Sequence, residues 1–392
     1  MKSILFMLIN MNIGGTEKAL INMLHELQKE KYKVTVLLLE KYGGFLDQIP
    51  DWVEVKYLSE YKNLKKYINE PPKKNVKELL SKKEYINAFN LFLSYCISKL
   101  KDDISYYYKY LLTDVSDLEE EYDIAVAYAG PMDFITYFVA NKIRAKKRVQ
   151  WIHFDISKIG FNKRFAENMY SKFDKIFVVS EEGKNKLNLL IPSLSDKTEV
   201  FFNIISSTLI KNMAENEEGF NDNYNGIRIL TVGRLSREKG QDITISVLEK
   251  LIKQGYEVRW YCIGEGNMRK ELEDMIKNKN LQDNYILLGS KRNPYPFMKE
   301  CDIYVQSSRH EGYCLTLAEA RCFNNPIITT NFTGANEQIR NEKTGLIVNF
   351  NQDEMYTAIK RIIKDRELRD SIGNNLGKEL IDTSGEIEKF SF

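Results

Sequence analysis

Cysteine is scarce in this sequence, with five residues among 392 (Cys96, Cys262, Cys301, Cys314 and Cys322). Their number is odd, they are scattered, and no Cys-x-x-Cys pair occurs. A disulfide framework and a thiolate metal site are thereby disfavoured, and buried free thiols in a reducing compartment are expected. Net charge is also scarce, at +2, so the molecule as a whole is not built to hold a polyanion and any basic patch must be local. No apolar run approaches membrane-spanning length. The opening Met-Lys-Ser-Ile-Leu-Phe-Met-Leu-Ile-Asn is too short for a signal peptide or a span. It reads as a buried first strand, and a cytoplasmic protein is expected. Asp-x-Asp occurs nowhere, so a metal has no obvious set of carboxylate ligands.

What the sequence does contain is an alternation of short apolar runs and helical spacings, twice over. Strands are expected at 4–9, 34–39, 124–128, 148–153 and 175–179, with intervening helices, which is the signature of a parallel sheet. Val200-Phe-Phe-Asn203 follows this first series. Residues 207–226 are polar, rich in Asn and Glu and without clear periodicity; they read as a linker. A second series begins at 227, with strands at 227–232, 286–289, 301–306, 326–330 and 344–348 and a helical tail over 353–380. The expected domains are therefore 1–206 and 227–375, with a closing segment 376–392.

Residues 56–110 interrupt the alternation. They hold twelve lysines against six acids, interleaved with eleven aromatics, and Pro71-Pro72 breaks their helical pattern. One reading is a helical insertion with solvated faces. The other is a surface for anionic lipid headgroups or a lipid-diphosphate acceptor, since basic and aromatic residues together suit a membrane interface. No nucleic-acid-binding motif accompanies them.

The densest chemistry lies in Gln306-Ser-Ser-Arg-His-Glu-Gly-Tyr-Cys-Leu-Thr-Leu-Ala-Glu-Ala-Arg-Cys-Phe323. Glu311 falls on the loop leaving a strand's carboxyl end, and Glu319 one turn into the following helix. Ligands of open parallel sheets bind at that edge, and a carboxylate can hold paired sugar hydroxyls through its two oxygens. By spacing alone, two glutamates eight apart are ordinarily solvated. Gly233-Arg-Leu-Ser-Arg-Glu-Lys-Gly240 places Arg234 and Lys239 on another such loop. Taken alone these too would be solvated, but fixed cations could offset the charge of a diphosphate leaving group. Gly14 and Gly15 follow the first strand where a helix opens, a place able to hold a phosphate or sugar oxygen. His153, one of three histidines, ends a strand. Gly264-Glu-Gly266 suggests a dinucleotide fingerprint, but Arg269 replaces its third glycine, which argues against a nicotinamide enzyme.

Glu311-x7-Glu319 with Gly312, Gly-Arg-Leu-x-x-x-Lys-Gly before it and Gly-Gly-Thr-Glu near the start together resemble the retaining GT-B glycosyltransferases of the family-4 type (glycosyl transferases group 1). The resemblance is strong over 227–348 and looser over 1–205. It implies an α/β GT-B fold, two Rossmann-like domains facing across a cleft. It further implies retaining, metal-independent transfer from a nucleotide-diphosphate sugar, a UDP-sugar above all, with no cofactor. The acceptor would be a hydroxyl of a lipid-linked or growing cell-surface glycan such as a capsule. Carried onto this sequence, Arg234 and Lys239 take the diphosphate, Glu319 the ribose, and Glu311 with Gly312 the donor sugar. His153, Gly14 and Gly15 would complete the pocket, and Gly264, Gly266, Gly334 and Glu337 would add backbone and side-chain contacts. Glu337 could equally be a first-turn acid favoured by a helix dipole. Two departures stand out. The usual acid beyond Asn203 is absent, and Cys314 occupies a position where glycine is common. Two alternatives stay open: a catalytically silent partner of the same fold, and a sugar-nucleotide isomerase or phosphorylase.

Overall fold

The computed structural model describes residues 1–379 and 381–391; the ends of the expected tail (Leu380) and closing segment (Phe392) lie outside them. The chain forms two compact units, one of Met1–Asn12 with Thr16–Phe201, the other of Ile13–Gly15 with Phe202–Phe392.

The first unit is a parallel sheet of seven strands: β1 (Lys2–Leu8), β2 (Tyr32–Leu38), β3 (Glu54–Tyr57), β4 (Glu121–Ala127), β5 (Arg144–Ile152), β6 (Lys175–Val178) and β7 (Thr198–Val200), in the order β3-β2-β1-β4-β5-β6-β7. β1 is apolar on both faces from Ile4 to Leu8, as a strand covered by helices on two sides must be. Strand order reverses between β1 and β4, so the loops that follow these two strands open a crevice at the carboxyl edge.

Residues 61–111 fold as four helices, Tyr61–Asn69, Pro72–Ser81, Tyr85–Lys101 and Ser105–Leu111. Their inner side chains, among them Tyr61, Leu79, Leu91 and Tyr108, join the same core as the sheet. Tyr108 meets Phe134, Tyr137 and Phe165 ring to edge or tilted, at 5.7 to 6.4 Å. The segment is thus an integral layer of the unit rather than an appendage.

The second unit is a parallel sheet of six strands: β8 (Ile227–Val232), β9 (Val258–Ile263), β10 (Tyr285–Gly289), β11 (Ile303–Gln306), β12 (Ile327–Thr330) and β13 (Leu346–Val348), ordered β10-β9-β8-β11-β12-β13. Its reversal falls between β8 and β11. Residues 207–226, expected as a linker, open with a helix, Ser207–Glu215. Ser206 caps it by accepting from the Leu209 N–H, and Ile210 and Ala214 bury one face at i, i+4 spacing. A helix of nine residues is too short to show much periodicity. The closing segment packs back onto 202–206: Thr383 accepts from the Ile205 N–H at 2.8 Å and donates to the Asn203 carbonyl at 2.7 Å, and Glu386 accepts from the Phe202 N–H.

Candidate active site

The site is built on the reversal of the second sheet. The loop leaving β8 carries Gly233, Arg234 and Lys239; the loop leaving β11 carries Ser307, Ser308, Glu311 and Cys314. These loops are adjacent because β8 and β11 are adjacent, and they are held together closely. Ser307 donates its hydroxyl to the Lys239 carbonyl at 2.8 Å. Gly240 lies at φ +69°, and a Cβ there would stand 2.1 Å from the Ser307 carbonyl oxygen, so only glycine allows the approach.

Across this junction Lys239 Nζ donates to Glu311 Oε1 at 2.5 Å. The two side chains are only 20% and 12% exposed. Ser308 Oγ donates to the same carboxylate oxygen at 2.6 Å. Ser308 is itself fixed by Gln306 Nε2 at 2.9 Å, and Gln306 Oε1 accepts from Tyr304 at 2.9 Å and from Thr316 at 3.2 Å. Glu311 therefore stands at the end of a buried polar relay, oriented rather than free to swing. Burial works against the Lys239 ammonium, but the Glu311 carboxylate outweighs it and holds the lysine pKa above its ordinary value. At neutral pH Lys239 is an ammonium, and the pair is largely shielded from water.

The other expected residues distribute as follows. Arg234 is exposed on the same loop, and its guanidinium has no hydrogen-bond or ion-pair partner among the described residues; its carbonyl accepts from Gln241. Glu319 is buried in the helix Leu315–Ala320 and accepts from the Tyr295 hydroxyl at 2.8 Å. Gly312 is buried beside Glu311. Gly334, at φ +82°, precedes the four-residue helix Ala335–Gln338, in which Glu337 is exposed. That loop follows β12 and is tied to the centre by Thr330, whose hydroxyl donates to the Ser308 carbonyl. On the first sheet, Gly14 and Gly15 follow β1, and a Cβ at Gly15 would meet nothing within 4 Å. His153 follows β5, its N–H on the Gly130 carbonyl at 3.0 Å and its ring 4.6 Å from that of Tyr128. Burial pushes its pKa down to about 3, against a hydrogen bond to the Tyr128 carbonyl, so the imidazole is neutral.

Gly264 and Gly266 have a purpose within the fold itself. A Cβ at Gly264 would lie 2.0 Å from the Gly233 carbonyl oxygen, and one at Gly266 2.2 Å from that of Leu235. Leu235 N–H bonds the Glu265 carbonyl, and Met268 N–H bonds that of Leu235. The Gly-x-Gly turn thus braces the loop that bears Arg234 and Lys239.

Cys314 has φ +67°, in the left-handed region where an L side chain is strained and glycine is not. That backbone accounts for the glycine commonly found at this position. Burial first, and then the Glu311 charge, pushes its thiol up to about 12, so it is no nucleophile at neutral pH. Replacing it by valine, β-branched and worse in this region, is expected to cost about 2 kcal/mol of stability. A urea titration of Cys314→Val beside the wild type measures this.

Ser308, Gln306 and Tyr295 were not singled out by the sequence. Their alternation along a strand end is a weak signal, and Tyr295 sits twenty-four residues from the glutamate it serves. Equally silent was Gly130-Pro131, a cis peptide bond in the loop leaving β4 at the first sheet's reversal.

Cations, an oriented carboxylate and glycine-braced loops thus meet at the strand reversal of the second sheet. Residues 212–379 match the family described as "Glycosyl transferases group 1". It is 29% identical over 218 residues to the N-acetylgalactosamine-N,N'-diacetylbacillosaminyl-diphospho-undecaprenol 4-alpha-N-acetylgalactosaminyltransferase of Campylobacter jejuni, covering 54% of this chain and 57% of that one. It is 23% identical over 320 residues to the poly(ribitol-phosphate) alpha-N-acetylglucosaminyltransferase of Staphylococcus aureus, covering 80% and 60%. The chain thus spans less than two thirds of the length of these curated relatives. Among solved structures, Anabaena HepE in complex with UDP-glucose superposes with a TM-score of 0.72 at 18% identity, over 100% of this chain and 98% of that one. Sucrose-phosphate synthase of Thermosynechococcus elongatus does so at 0.72 and 14%, again over 100% and 98%. The fold is accordingly GT-B, with two Rossmann-like units.

Proposed function

We propose that this chain transfers a sugar from a nucleotide-diphosphate donor, a UDP-sugar, to an acceptor hydroxyl, with the anomeric configuration retained and without a metal. The observation that carries the proposal is the Lys239–Glu311 pair, held at the strand reversal beside the exposed Arg234. Donor binding exchanges this internal pair for two external ones. Lys239 and Arg234 turn to the diphosphate, whose negative charge grows as the glycosidic bond breaks, and fixed cations stabilise that growth without reorganising. Glu311, still held by Ser308, accepts hydrogen bonds from the donor sugar's hydroxyls. Glu319 takes the ribose hydroxyls, with Tyr295 fixing one of its oxygens. Gly312, Gly334 and Glu337 line the donor site, and the resemblance assigns Gly14, Gly15 and His153 to the donor as well. A neutral His153 is a hydrogen-bonding group there, not a cation. The leaving phosphate accepts the acceptor's proton, so no protein nucleophile is needed.

The UDP-glucose in the Anabaena structure supports a uridine donor. The diphospho-undecaprenol and poly(ribitol-phosphate) in the relatives' names support a lipid-linked or cell-surface glycan as acceptor. Such an acceptor would place the protein at the inner face of the plasma membrane.

The test is incubation of the purified protein with a panel of nucleotide-sugars, EDTA present, reading released nucleoside diphosphate. Slow hydrolysis of one donor is the expected result. Absence of turnover together with absence of thermal stabilisation by any donor would favour the silent-partner alternative. Conversion of the donor without release of nucleotide would favour the isomerase.

A further inference from the structure

The helix Tyr85–Lys101 is amphipathic in the reverse sense. The positions it buries are Ala88, Leu91, Ser94 and Ser98, and the two serine hydroxyls turn back to their own backbone, on the Leu91 and Tyr95 carbonyls at 2.8 Å. Apart from Leu91, the large apolar side chains of the helix are exposed or only half-buried. Ile86, Phe89, Leu93 and Leu100 follow one another at intervals of three, four and seven, which is one stripe of a helix, and are 77%, 63%, 44% and 84% exposed. Phe92 stands beside them. Of the fifteen large apolar side chains exposed among the described residues, eight lie between Leu80 and Tyr106. A contiguous apolar patch of this kind marks a surface that is covered in use.

Charge indicates what covers it. Lys99 and Lys101 flank Leu100, and Lys83 precedes the helix; Lys77 lies on the helix before. Lys77, Lys83 and Lys101 have no acidic partner among the described residues. Apolar and aromatic side chains rimmed by unneutralised lysines match the headgroup boundary of an anionic bilayer, where the rings and aliphatic chains enter the acyl edge and the ammonium groups meet phosphate. A second copy is a poorer match, because it would bring two lysine rims together.

We infer that the outer face of the helix Tyr85–Lys101 docks the protein on an anionic phospholipid surface, with Ile86, Phe89, Phe92, Leu93 and Leu100 inserted and the lysines around them on headgroup phosphates. The inference deepens the membrane location proposed above, but it requires no sugar transfer and is tested separately from it.

The test is flotation of the full chain with vesicles of phosphatidylcholine alone, and with vesicles containing about one-third phosphatidylglycerol. The wild type is expected to float with the anionic vesicles at least tenfold more than with the neutral ones, and less so at high salt. Phe89→Ser/Phe92→Ser/Leu93→Ser, whose side chains are exposed and whose thermal midpoint should be unchanged, is expected to lose at least tenfold in vesicle binding. Its donor hydrolysis in solution should be unchanged. Equal flotation of the triple variant and the wild type would overturn the inference. So would a wild type that ignores both vesicles but sediments as a dimer which the triple variant converts to monomer. Vesicle binding without donor turnover would leave the docking face standing and sink the transferase reading alone.

Discussion

Lys239→Met and Glu311→Leu are each expected to abolish measurable sugar transfer, and each to destabilise the fold, whereas the double variant is inactive but recovers most of the stability. Both side chains are largely buried, so removing either leaves a shielded charge without its partner, a change worth about 3 kcal/mol in comparable buried pairs. Removing both eliminates the charges together, and an apolar pair of similar volume is often nearly neutral. Catalysis follows a different logic. On the proposed assignment the diphosphate still lacks its cation and the sugar its carboxylate, and loss of one fixed electrostatic partner costs about a hundredfold to a thousandfold in turnover. Thermal denaturation and donor hydrolysis, measured on all three variants, separate the two effects. Recovery of activity along with stability in the double variant would mean that the pair is only structural.

The second large effect concerns pH, and it arises from two buried groups of the first unit that oppose each other. His153 has its pKa lowered to about 3 by burial. The unfolded chain takes up this proton below the ordinary histidine value of 6.5 while the folded chain does not. Its contribution to stability is complete above that value and declines as pH falls toward 3. Asp133, at the start of the helix Asp133–Lys142, behaves oppositely. Burial, and then the charge of Asp103, raise it from 3.8 to about 6. Its contribution is complete below 3.8 and is lost as pH rises through 6. Between pH 6 and 4 the two slopes nearly cancel, each being about 1.4 kcal/mol per pH unit. These two groups together are therefore expected to contribute almost no net change in this window, and the variants separate them. Asp133→Asn should unmask the histidine and lose about 2 kcal/mol on going from pH 6 to 4.5. His153→Asn should unmask the aspartate and gain a similar amount. Urea midpoints at the two pH values, for the three proteins, give the comparison; parallel curves for all three would contradict it.

Position along the sheet was legible in the sequence because it depends only on local pattern. Apolar runs at 4–9, 227–232 and 301–306 announced strands, and residues of the loops after them, Gly14, Arg234 and Glu311 among them, were placed at the carboxyl edge that the structure shows. Partnership was not legible. Lys239 and Glu311 are seventy-two residues apart and meet only because β8 and β11 are neighbours, which follows from strand order and not from periodicity. Gly264 read as a nucleotide-approach glycine, and the fold shows that it is needed first to clear the Gly233 carbonyl. Cys314 read as a substitution in the sugar pocket, and its left-handed backbone shows that it is a strained residue as well.

The helices at 61–111 illustrate the same limit. Their lysines and aromatics were visible in composition, but not which of them face the core. Tyr61, Tyr107 and Tyr108 turned inward, whereas Phe89 and Phe92 turned out. Helical spacing gave no warning, because the helix Tyr85–Lys101 has apolar residues on both faces and serines on the buried one.

The central claim is that the strand reversal of the second unit binds a nucleotide diphosphate through Lys239 and Arg234. Calorimetric titration of UDP into the wild type and into Arg234→Ala/Lys239→Met tests it most directly. The wild type is expected to bind UDP and the double variant at least a hundredfold more weakly, with saturating UDP raising the thermal midpoint of the wild type only. Equal affinity in the two proteins would place the diphosphate elsewhere and contradict the assignment of the site.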